Sequence, residues 1–248
     1  MIQLKNISVI FNQGTALEKN VLQQINLTIN AGDFITVIGS NGAGKSTLLG
    51  LLAGTIPTQA GSIFFDKLNI TTYPSEKRAK WIGYVYQDPR LGTCETLTVE
   101  ENLAFAMQRG ERRGLSFALN SSLKKQFQTM LADLNTGLEN KLTDQVAMLS
   151  GGQRQVLSLV MATLKAPKLL LLDEHTAALD PNMTKSILAL TARIVQKHQL
   201  TTLMVTHNMT HALEIGNRTL LMQQGKIAHD LSETEKNRLS AKELMEYL

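Results

Sequence analysis

The chain has 248 residues, 43% of them hydrophobic and 19% charged, with a net charge of +4. That length buries one large core or two small ones, and the composition excludes disordered and fibrous classes. The apolar runs, such as 169–172, are far too short for a membrane-spanning helix of about 20 residues, and the lone Cys94 excludes an intrachain disulfide and fits a reducing cytosol.

The first residues, Met1-Ile2-Gln3-Leu4-Lys5-Asn6, lack the basic start and long apolar centre of a signal peptide. Residues 4–10 read as a strand. In 21–29, Val21, Gln23, Ile25, Leu27 and Ile29 fall on one side of a second strand, and the link through Gly14 predicts an antiparallel pair. After an Asn-Ala-Gly-Asp turn, 34–38 reads as a short buried strand, followed by a glycine-rich loop and an apolar helix over 46–53. Thr98 and Glu101 form a capping box, and 88–164 reads as mainly helical. Residues 169–172 and 202–206 are buried strands, and Asp180-Pro181 starts the helix between them. Gln223-Gln224-Gly225-Lys226 is a hairpin turn, and Ser240 with Glu243 caps a last short helix. Strands separated by helices predict a parallel α/β core, and the helical middle third predicts an inserted subdomain.

Gly39-Ser40-Asn41-Gly42-Ala43-Gly44-Lys45-Ser46 matches G-x-x-x-x-G-K-[ST] in full, between a strand and a helix. Glycines let successive N–H groups face phosphate oxygens, Lys45 adds positive charge, and Ser46 can ligate Mg²⁺. A chance match in a chain of this length has odds of about one in a hundred. Leu169-Leu170-Leu171-Leu172-Asp173-Glu174 places two carboxylates at the end of a buried strand, where parallel sheets bind ligands. Alone that is a common strand end. With the phosphate loop it predicts Asp173 at the metal and Glu174 at the attacking water.

Leu149-Ser150-Gly151-Gly152-Gln153-Arg154-Gln155 resembles the signature of ATP-binding cassette (ABC) ATPases, and the remaining motifs fall in that family's order. Gln87, after Tyr84-Val85-Tyr86, resembles the Q-loop glutamine. Ala178-Leu179-Asp180 resembles the D-loop, and His207 the switch histidine. Phe11 sits where the family places an aromatic on adenine. The resemblance implies an α/β fold: a P-loop NTPase core over about 1–87 and 165–248, an N-terminal antiparallel β subdomain, and a helical subdomain over about 88–164. It implies an ATPase using ATP and Mg²⁺, with Gly39 to Ser46, Thr47, Ser150, Gly151, Gly152, Gln153 and Asp180 at the nucleotide. Ser46, Gln87 and Asp173 would serve the metal, and Lys45, Gln87, Glu174 and His207 catalysis. Two cassettes would close head to tail on two ATP.

The chain departs from the family in two places. His175 stands where many members have proline, and reads first as an exposed turn residue. The helix after the signature lacks a common arginine. With Gln87-Asp88-Pro89 and Gly92-Thr93, these variants are similar to the bacterial branch serving aromatic amino-acid importers. Arg109, Arg112, Arg113, Lys124 and Lys125 read as a solvated basic face. His198, His211 and His229 have no ligand-like spacing, so no zinc is expected. The expected role is the energising subunit of a bacterial importer at the cytoplasmic face of the cell membrane. Separate permease chains and a solute-binding protein are expected as partners, and nucleic acid is not. The alternatives are an ATP-driven signalling clamp on a membrane protein, a soluble ABC ATPase and a non-catalytic nucleotide binder. With only a short stretch after the last helix, no appended regulatory domain is expected.

Overall fold

The computed structural model describes residues 1–110 and 120–247, so Arg112 and Arg113 lie outside the described residues. In chain order the elements begin with β1 (Ile2–Phe11), β2 (Lys19–Ile29), β3 (Phe34–Gly39), α1 (Lys45–Ala53), β4 (Ala60–Phe65), β5 (Leu68–Asn69) and α2 (Ser75–Arg78). Then come β6 (Ile82–Val85), α3 (Val99–Met107), α4 (Ser121–Asp133), α5 (Gly151–Thr163), β7 (Leu169–Asp173) and α6 (Pro181–His198). The chain ends with β8 (Thr201–Val205), α7 (Met209–Glu214), β9 (Arg218–Gln223), β10 (Lys226–Ser232), α8 (Glu233–Lys236) and α9 (Ala241–Glu246). The chain divides into two compact units, Met1–Arg78 with Gln199–Leu248, and Ala79–His198.

The first unit holds an antiparallel sheet in the order β2-β1-β4-β5. The expected pairing of β1 with β2 is present, with Ile2 opposite Ile29 and Leu4 opposite Leu27. The expected face of β2 holds for Ile25, Leu27 and Ile29, but its phase shifts at Gln24, which adopts a φ of 52° where the register slips. Leu22, not Gln23, is therefore fully buried, because an extra residue in one strand turns the following side chains over. In the same unit β3 lies between β8 and β9, parallel to both, and β10 runs antiparallel to β9. The core behind β3 is apolar, with Ile38, Ala212, Leu221 and Leu244 all at 0% exposure.

In the second unit β6 and β7 are parallel, with Tyr84 opposite Leu171 and Val85 opposite Leu172. The leucines of β7 are fully buried, which explains a continuous apolar run in place of alternation. The boxes read from the sequence at Thr98 for α3 and Ser240 for α9 are formed, and a third forms at Ser150 for α5. Arg109 is not on a solvated face. It is half-buried and donates to the carbonyl of Ala162 in the last turn of α5 at 3.0 Å. Lys124 pairs with Glu100 at 3.0 Å, and Lys125 is exposed.

Candidate nucleotide site

Each half of the candidate site lies within one unit. In the first, the phosphate loop leaves β3 at Gly39 and enters α1 at Lys45. Gly44 is the N-cap, with φ 100°, and a Cβ there would stand 2.8 Å from Leu22 Cδ2 and 2.9 Å from the Val21 carbonyl. A side chain is thus barred twice, by conformation and by space. No side chain caps α1. The positive end of its dipole favours an anion there. Lys45 is 5% exposed, and its Nζ donates to the carbonyls of Gly39 at 2.8 Å and Ser40 at 3.1 Å. That ties the ammonium across the mouth of the loop. Ser40, Asn41, Gly42 and Ser46 are exposed, Ala43 is buried, and Thr47 is half-buried.

His207 belongs to the same half. Strand β8 is in register with β3, Val205 opposite Val37, so both chains reach the same C-terminal edge. His207 is exposed there. Below it, the Asn208 side chain caps α7, Thr36 and Thr219 hydroxyls donate to the Ala212 carbonyl, and Lys236 Nζ donates to the carbonyls of Ile215 and Gly216. Lys236 is 1% exposed, and burial lowers its pKa to about 8. Phe11, at the end of β1, is 39% exposed and stands opposite Lys19, whose Nζ lies 4.0 Å from the position a Cβ would take on Gly42.

Two supports of this half were not expected from the sequence. The Lys19 ammonium beside the loop is one. The other is the turn after β9, where the Gly225 N–H donates to the Ala43 carbonyl at 3.1 Å while its own carbonyl accepts from Gln23 N–H at 2.8 Å. The turn was legible, but nothing local says that it braces Ala43 and Gln23, far earlier in the chain.

The second unit carries the acidic and signature residues. Asp173 ends β7, half-buried, and its Oδ2 accepts the Tyr84 hydroxyl at 3.0 Å. Burial, and then the Asp173 charge, push the Tyr84 pKa up, so the phenol stays protonated as a donor. Glu174 is half-buried with a φ of 45°, an uncommon conformation for a residue with a side chain. The turn that follows does not expose His175. It is 2% exposed, and its Nε2 lies 3.3 Å from Thr191 Oγ1 on α6. The Thr191 proton already goes to the Ile187 carbonyl, so Nε2 carries a hydrogen and donates.

Gln87 is exposed just beyond β6. The loop after it is held from behind by Asn102, 1% exposed, which accepts from Cys94 N–H and donates to the carbonyls of Cys94 and Thr98. Ser150 caps α5 by accepting the Gln153 N–H at 3.2 Å, and its own O–H has no acceptor among the described residues. Gly151 is exposed, and a Cβ there would meet nothing within 4 Å. Gly152 is buried, and a Cβ would stand 2.7 Å from Met183 Cε. Met183 follows Asp180, whose Oδ1 accepts the N–H groups of Asn182 and Met183 at 3.0 Å each. Gly152 of the signature and the start of α6 are therefore packed together. Arg154 pairs with Glu95 and donates to the Val146 carbonyl, fixing the signature helix to neighbouring loops.

The family model described as ABC transporter matches residues 22–177. A tyrosine transport ATP-binding protein of Clostridioides difficile (strain R20291) is 41% identical over 246 residues, which are 99% of this chain and 98% of that protein. The methionine import ATP-binding protein MetN of Streptococcus agalactiae is 34% identical over 93% of this chain, which spans 64% of the relative's length. The dimeric post-hydrolysis ATP-binding cassette MJ0796, bound to ADP and Pi, has a TM-score of 0.79 at 25% identity, over 94% of this chain and 99% of its own.

Proposed function

The chain belongs to the ABC transporter family and is an ATPase coupled to transmembrane transport, and from that premise we propose that it energises a bacterial importer of tyrosine or a related aromatic amino acid. The observation that carries the cargo is the near end-to-end match to the tyrosine transport ATP-binding protein. We place two copies head to tail over two ATP at the cytoplasmic face of the membrane, beneath separate permease chains and a solute-binding protein. Among the described residues no helix is long and apolar enough to cross a membrane. Leu91 and Phe105, 70% and 55% exposed in the helical region we assign to residues 88–164, offer apolar contacts to the permease chains.

In this reading the N–H groups of 39–47 and the Lys45 ammonium hold the β- and γ-phosphates, and Phe11 stacks on the base. The exposed Ser46 hydroxyl, the Asp173 carboxylate and Gln87 are hard oxygen donors of the kind Mg²⁺ takes. The metal would supply charge neutralisation at the phosphates. Glu174 orients the attacking water and accepts its proton. His207 donates to the γ-phosphate, and the free Ser150 O–H with the N–H groups of Gly151 and Gly152 receives the partner cassette's γ-phosphate. Asp180 fixes the start of α6 against the signature.

The test is uptake of radiolabelled tyrosine by cells with and without this chain, with methionine uptake alongside. Loss of tyrosine uptake alone, restored by the parent chain and not by Glu174→Gln, is the expected result. Unchanged tyrosine uptake overturns the cargo assignment.

A further inference from the structure

The Asp173 carboxylate accepts from a side chain of its own unit that is not one of the family motifs. Tyr84 reaches from β6 along the sheet, past its register partner Leu171, to donate to Asp173 Oδ2 at 3.0 Å. Its ring is half-buried and packed on Tyr86, centroids 4.4 Å apart. Tyr86 in turn precedes Gln87, and its carbonyl faces the Gln155 side chain of α5 at 3.5 Å. The phenol is therefore held from its own side as well as by the carboxylate.

We infer that Tyr84 is a positioning residue for the divalent cation of ATP hydrolysis: its hydroxyl holds the Asp173 carboxylate in the rotamer that serves the metal. The inference rests on the proposed role of Asp173. A carboxylate held by a hydrogen bond is no longer free to rotate about its Cβ–Cγ bond, so less freedom is lost when the metal or its water docks on it. Tyr84 also sits three residues before Gln87 on the same strand end, so one short segment sets two groups of the metal site.

The experiment is a Mn²⁺ titration of the ADP-bound full-length chain, read by electron paramagnetic resonance, for the parent, Tyr84→Phe, Asp173→Ala and the double variant. Tyr84→Phe keeps the ring packing and removes one oxygen. It should weaken Mn²⁺ binding about tenfold, the usual cost of losing a group that orients a metal ligand. The Mg²⁺ concentration for half-maximal ATPase should rise in step, with kcat at saturating Mg²⁺ within about twofold of the parent. Binding of a fluorescent ATP analogue in EDTA should not change, which a merely unfolded variant could not satisfy. In the Asp173→Ala background, Tyr84→Phe should add nothing. Parental Mn²⁺ affinity in Tyr84→Phe, with Asp173→Ala impaired, overturns the inference alone. Additive losses in the double variant do the same. Parental affinity in Asp173→Ala overturns the assignment of Asp173 itself, and the inference with it.

Discussion

Arg78 is the residue whose removal should most disturb the phosphate half of the site without touching it. It is 2% exposed and donates five hydrogen bonds to backbone carbonyls: Leu51 and Leu52 at the end of α1, and Ile70, Thr71 and Tyr73 in the loop before α2. Burial lowers its pKa from 12.5 to about 10, equivalent to a penalty of about 3 kcal/mol on the charged form. In Arg78→Leu, Leu51 keeps the Gly54 N–H and Ile70 keeps the Tyr73 N–H, whereas the carbonyls of Leu52, Thr71 and Tyr73 lose their donor. Three such losses at about 1–3 kcal/mol each outweigh the recovered burial penalty. The expected net destabilisation is about 3 kcal/mol. Arg78→Lys keeps the charge but not the fork, and should lose about half as much. Urea unfolding should show the midpoint falling at an unchanged slope. A loss under about 1 kcal/mol for Arg78→Leu would refute the reasoning, because the carbonyls would then have found other partners.

Glu174→Gln should bind ATP, hydrolyse it at least about 100-fold more slowly, and accumulate as an ATP-dependent dimer in light scattering; parental turnover would remove Glu174 from its role. Gly151→Asp should unfold like the parent, since a side chain there meets nothing within 4 Å, yet should form no ATP-dependent dimer because a carboxylate would face the γ-phosphate. Lys236 gives a pH test. Its pKa is lowered from 10.5 to about 8, so between those values the folded chain holds fewer protons than the unfolded one. Below pH 8 the cost of the buried charge is fully present; as pH rises towards 10.5 it is relieved, and the parent gains stability over Lys236→Met by at most about 1.4 kcal/mol per pH unit. Urea midpoints at pH 7.5 and 9.5 should therefore diverge, and a constant gap would count against the buried cation.

Local rules carried the sequence reading wherever the determinant was local. Thr98 with Glu101, three residues on, forms its capping box, and the run of leucines in β7 is buried on both faces. The phosphate loop was legible for the same reason, since its glycines, lysine and serine are consecutive. What escaped depends on distant partners. Nothing near His175 announces Thr191, and nothing near Tyr84 announces Asp173, 89 residues away. The β2 phase shift escaped too, because one inserted residue is invisible to a period-two count.

The basic residues follow one physical pattern that composition could not disclose. A helix ends with carbonyls lacking partners and a partial negative charge, usually met by glycine or by cations in its own last turn. Helices α1, α4 and α5 have no basic residue in the last turn. Each instead receives a cation from elsewhere in its own unit: Arg78 on Leu51 and Leu52, Arg193 on Leu134, and Arg109 on Ala162. Lys236 does the same beyond α7, on Ile215 and Gly216. Four positive charges are thereby committed to helix ends, as many as the net excess of +4. A positive balance that reads as attraction to nucleic acid or lipid is thus in part internal wiring, and two of these four side chains, Arg78 and Lys236, are too buried to present a charge to any partner.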